Sequence, residues 1–109
     1  MVMDKRQHPR VELSWPVTVI TDDGLVTGRT QNISRVGTLI RCAEIPELQN
    51  NYRLIFRPDE RELLLATAER VWHRAFVRNY YMPHAVGVRF TFVPDQDFHR
   101  ISEAISRHI

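Results

Sequence analysis

The chain has 109 residues, enough for one hydrophobic core and too few for a second domain of ordinary size. Hydrophobic residues make up 43% of it, which excludes wholesale disorder. The net charge of +2 rests on a basic side that is almost all arginine, since Lys5 is the only lysine.

Residues 1–12 are polar, charged and interrupted by Pro9, and they read as a flexible N-terminal arm. Strict alternation then begins: Leu13, Trp15, Val17 and Val19 fall on one face of a strand, Ser14, Pro16 and Thr18 on the other. Pro16 lacks an N–H, so this strand should start at an edge or have a free donor side there. Asp22, Asp23 and Gly24 make a tight turn. Leu25 to Ile33 forms a second strand and Val36 to Cys42 a third, so Asn32 to Gly37 (NISRVG) occupies a strand connection.

A segment rich in Pro, Glu and Asn leads to a fourth strand through Tyr52, Leu54 and Phe56, ended by Arg57-Pro58-Asp59. Leu63 to His73 is a long fifth strand whose apolar parity slips before Val71, which predicts a bulge. Arg74 to His84 is a basic, aromatic loop, a plain strand connection or a partner contact. Val86, Val88, Phe90 and Phe92 then alternate in a sixth strand. After Pro94 the spacing becomes helical at Phe98, Ile101, Ile105 and Ile109, with Asp95 as the expected N-cap. The pattern predicts an all-β domain over 13–94, a small six-stranded antiparallel barrel, with a terminal helix over 95–109 packed on its surface or over an open end.

Little in the chain supports catalysis. The five histidines are scattered without metal-ligand spacing, and Ser34 lacks the glycines of a nucleophile elbow. Cys42, the single cysteine, lies in an apolar run and reads as a core residue. No cofactor or metal is expected. The charged N-terminus has no apolar segment behind it, and no stretch approaches the roughly 20 apolar residues that span a bilayer. The chain therefore reads as a cytoplasmic protein without membrane insertion.

Two segments carry the chemistry. Arg6 and Arg10 stand in RQHPR, and Asn32, Ser34 and Gly37 in NISRVG. An arginine fork grips guanine O6 and N7 or closes on a phosphate, while small polar residues and a glycine admit close approach. Each segment alone is weak: RxxxR can be a solvated arm, and NISRVG a turn in which Gly37 permits an unusual backbone angle. Together, in this order on a β-rich chain, they resemble the PilZ domain family, whose signature is RxxxR followed by (D/N)xSxxG. The resemblance spans nearly the whole chain, with ERVWHR and GVRF matching further strands.

The resemblance implies a bacterial, six-stranded barrel with a C-terminal helix that binds the second messenger cyclic di-GMP. On that reading Arg6 and Arg10 hold guanine edges and phosphates, and Asn32, Ser34 and Gly37 receive a guanine on the barrel surface. Lys5, the cation before the first arginine, leans toward two intercalated ligand molecules. Trp72 either stacks on a guanine or is a partly exposed barrel aromatic. The site is expected to be incomplete until ligand draws the arm onto the barrel and alters the surface shown to a partner protein. The alternative is a PilZ-like adaptor that binds proteins without nucleotide. General binding of RNA or single-stranded DNA is the least favoured reading.

Overall fold

The computed structural model describes residues 8–76, 78 and 81–109. Six strands appear in chain order: β1 (Pro16–Thr21), β2 (Gly24–Ile33), β3 (Gly37–Cys42), β4 (Asn51–Phe56), β5 (Leu64–Ala75) and β6 (His84–Phe92). They close into an antiparallel barrel in the order β1-β2-β3-β6-β5-β4, and the helix α1 (Asp95–Arg107) follows. Closure removes the sheet edges. Pro16 therefore does not mark an edge strand; as the first residue of β1 it pairs with Arg29, and its carbonyl accepts from the Arg57 N–H at 2.9 Å.

Alternation places Val17, Val19, Ile40, Cys42, Leu54, Phe56, Ala66 and Val86 inside, where they form one apolar cluster. Phe56 lies edge-on to both Trp15 and Phe90, with ring centroids 6.2 and 6.1 Å away. Cys42 is buried, and desolvation pushes its thiol up to about 11, which suits a core residue and not a nucleophile.

Ile101, Ala104 and Ile105 join the same cluster, so α1 covers the end where β2 finishes and β5 starts. Two expected helix features differ. Phe98 and Ile109 are exposed, because the apolar stripe is only as wide as the barrel mouth beneath it. Asp95 is inside the helix and Pro94 is the N-cap, without a side-chain cap; instead Asp97 reaches across to accept the Leu65 N–H at 2.7 Å. Segment 43–50 lies against the opposite end: the Tyr52 hydroxyl donates to the Glu47 carbonyl at 2.8 Å, and Gln49 accepts the Asp22 N–H at 2.9 Å.

Two stretches interrupt the registers, between Thr30 and Asn32 on β2 and between Arg70 and Trp72 on β5, with a further slip at Thr67/Ala68. The parity slip before Val71 is thus a bulge, as its sequence predicts. β5 also runs on through Ala75, so the loop toward β6 is shorter than its composition indicates. That loop is tied to β3, because Arg41 donates to the Met82 carbonyl (2.6 Å from Nη2) and its guanidinium lies 4.5 Å from the Phe76 ring centroid.

Candidate ligand cleft

The two bulges decide what faces outward. On β2, Thr30 points into the barrel, Gln31 is the extra residue, and Asn32 pairs with Leu39. On β5, Val71 is the extra residue, and Trp72 pairs with Gly87. Since Leu39 also pairs with Gly87, the residues Asn32, Leu39, Gly87 and Trp72 form one continuous row across the outer face of β2, β3, β6 and β5. A strand spacing of about 4.8 Å puts the ends of the row about 14 Å apart. Beside it runs a second row of Gly37, Arg89 and Glu69.

A cleft of about 200 Å³ lies over these rows, lined by Arg10, Asn32, Ser34, Val36, Gly37, Thr38, Leu39, Val71, Trp72, Gly87, Val88 and Arg89. It is smaller than the roughly 300–1,000 Å³ of pockets that enclose a drug-sized ligand. It has room for a single base, with the rest of a larger molecule held outside.

Trp72 is pre-set as a wall. Gly87 has no Cβ, and one added there would collide with the indole, so the ring lies across the β6 backbone. The Arg74 guanidinium stands 5.7 Å from the indole centroid, within cation–π range, and Trp72 keeps 39% of its surface exposed.

The NISRVG turn is held by its own groups. The Ser34 N–H donates to the Gly37 carbonyl at 2.9 Å, and the Ser34 hydroxyl accepts the Val36 N–H at 3.1 Å. Ser34 is 3% exposed, so its hydroxyl mainly shapes the turn. The Thr38 hydroxyl donates to the Asn32 carbonyl at 2.7 Å, which fixes the Asn32 backbone where its side chain lines the cleft. Gly37 does not supply an unusual backbone angle: Gly24 is the one described glycine with positive φ. A Cβ at Gly37 would strike the Val88 carbonyl, so the glycine serves the close approach of β3 to β6.

Arg10 reaches the cleft through its neighbour. Val11 is buried and exchanges two backbone hydrogen bonds with Ile33, both 3.0 Å, which lays the end of the arm beside the turn. The barrel's contacts thus begin within the stretch expected to be a free arm, and Arg10 lines the cleft. Arg6 and Lys5 lie outside the described residues. The structure therefore brings together Arg10, Asn32, Ser34, Gly37 and Trp72, and adds Leu39, Val71, Gly87 and Arg89, which the motifs do not mark. Their signal in sequence was outward parity on strands flanking a bulge.

Among the described residues, no cluster of three or more His, Cys, Asp or Glu side chains is placed to hold a metal. No helix among them is long and apolar enough to cross a membrane.

A base-sized cleft thus lies between the bulged face of the β-barrel and the segment that carries Arg10. Residues 4–107 match the family model of the PilZ domain, and the chain belongs to that family. Three solved structures share the fold. The Bacillus subtilis inhibitor of motility MotI/DgrA superposes with a TM-score of 0.78 at 16% identity, over 96% of this chain and 51% of that one. The Klebsiella pneumonia MrkH–c-di-GMP complex gives 0.75 at 15% identity, over 96% of this chain and 52% of that one. The PilZ domain of Escherichia coli YcgR with c-di-GMP gives 0.73 at 13% identity, over 96% of this chain and 92% of that domain. This chain thus spans about half the length of the MotI and MrkH chains. No curated protein matches it.

Proposed function

We propose that the chain is a cytoplasmic, non-enzymatic receptor for cyclic di-GMP. The observation that carries this reading is the meeting of Arg10, Asn32 and Trp72 around one base-sized cleft. Asn32 accepts from guanine N1–H or N2–H through its amide oxygen, Trp72 offers a face to the base, and Arg10 takes a phosphate or the O6/N7 edge. Ser34 and Gly37 keep the turn in the shape that presents Asn32. Structures of MrkH and YcgR recorded with c-di-GMP lend the fold-level support.

Ligand binding is expected to change the conformation of the N-terminal arm. Arg6 would then close over the ligand, and the refolded segment would present a changed surface to a partner protein. Lys5 leads us to expect two intercalated ligand molecules per site.

Isothermal titration with cyclic di-GMP tests the reading. The wild type should bind, and Arg10→Ala should lose roughly 1–3 kcal/mol, the value of a bidentate contact. Absence of binding by the wild type would instead support the nucleotide-free adaptor. A stoichiometry of one ligand per chain would dismiss the intercalated pair alone.

A further inference from the structure

Arg89 lies at the lip of the cleft, in the row next to Asn32 and Trp72, and neither motif includes it. Its backbone is fixed: Gly37 is its partner on β3, and the next residue, Phe90, donates its N–H to the Val36 carbonyl at 2.7 Å. Its side chain, by contrast, is 63% exposed. Gly37 carries no side chain that could stand between Arg89 and the mouth of the turn. On its other side Arg89 meets its cross-strand partner Glu69, with Nε 2.6 Å from Oε1 and Nη2 on the same oxygen.

We propose that Arg89 is a phosphate-gripping residue of this cleft and that Glu69 is its latch. Glu69 holds the guanidinium on the β5 side. An entering phosphate competes for the same donors, and Arg89 turns from the carboxylate to the ligand. Three observations support the exchange. The pair is half open to water on both sides, at 63% and 37%, and exposed ion pairs contribute little net stability, so opening it is easy. Arginine's planar fork serves carboxylate and phosphate with the same geometry. Among the described residues, the charged side chains lining the cleft are Arg10 and Arg89, one from the N-terminal segment and one from β6, so a dianionic ligand is bracketed by two cations. Glu69 then works against binding because it occupies one of these two cations. The latch rests on the cyclic di-GMP reading above.

The test is titration of cyclic di-GMP into the wild type, Arg89→Ala, Glu69→Gln and the double variant, with thermal melts to confirm folding. Arg89→Ala should bind at least about tenfold more weakly, as for loss of a hydrogen bond to a charged group. Glu69→Gln should bind about two- to fivefold more tightly, the scale of an exposed ion pair released. The double variant should match Arg89→Ala, because the latch has nothing left to hold. A merely structural ion pair would shift both single variants in the same direction, and that result overturns the proposal while leaving the receptor reading intact. Wild-type affinity in Arg89→Ala overturns it equally. No binding by either the wild type or Glu69→Gln overturns the receptor reading and the latch together.

Discussion

The two halves of the barrel are built by the same alternation and differ in continuity. On one side β1 pairs with β2 and β4, and β4 with β5, in unbroken register, and each inward side chain meets another in the core. On the other side the β2–β3 ladder is broken at Gln31, and the β5–β6 ladder at Val71 and again at Thr67/Ala68. The regular half stores stability, and the broken half makes the cleft, because each extra residue restores an outward direction to the next one. Asn32 and Trp72 face the cleft for that reason. The cleft is a product of register as much as of residue type.

Inserting one residue between Leu54 and Ile55 should have the largest effect. An extra residue in an unbroken ladder turns one flank of β4 over, carrying Leu54 or Phe56 out of the core, so we expect the melting temperature to fall sharply. Deleting Val71 should cost less, because Arg70 and Trp72 then oppose Val88 and Gly87 as plain neighbours and Trp72 still faces the cleft. Phe56→Ala comes next: in the regular half, a large core aromatic removed should cost about 3–5 kcal/mol in chemical denaturation, with affinity per folded molecule unchanged. Gly87→Ala should cost less stability and yet impair binding, since the new methyl displaces the Trp72 indole; tryptophan fluorescence would report the move. Trp72→Ala should weaken binding by roughly 1–3 kcal/mol, the value of a stacked base.

The smallest effect is a pH dependence at the open end away from α1. His73 and His84 stack with centroids 5.5 Å apart, and their facing nitrogens are 3.3 Å apart. Desolvation, with the nearby His84 and Arg70 charges, lowers the His73 pKa below its usual 6.5. The unfolded chain then takes up the proton first, so stability is full above about pH 6.5 and declines as pH falls toward the folded-state pKa. His73→Gln should flatten that decline in denaturation curves recorded between about pH 7 and 5.

Much of the fold was legible because alternation is a local property. The strands through Val17, Leu54 and Val86, the Asp-Asp-Gly turn and the bulge near Val71 all follow from neighbouring residues. Closure was not local: Pro16 reads as an edge signal until the sheet joins end to end. The helix stripe was overread at Phe98 and Ile109, since spacing cannot tell how wide the surface beneath a helix is. In the cleft, residue types identified Arg10, Asn32 and Trp72, and the structure puts them together. Arg89 was missed because its value comes from cross-strand neighbours, Gly37 and Glu69, far away in sequence. Gly37 was singled out for close approach, and what approaches is β6: a Cβ there would strike the Val88 carbonyl, while the unusual backbone angle of the plain-turn reading is absent.

The most direct test of a ligand site confined to the broken half is an amide NMR titration with cyclic di-GMP. The account predicts large shifts at Asn32 to Leu39, Trp72 and Gly87 to Arg89, with Val17 to Ile20 and Arg53 to Phe56 unmoved. Shifts centred on β1 and β4, or a spectrum that ligand leaves unchanged, would contradict it.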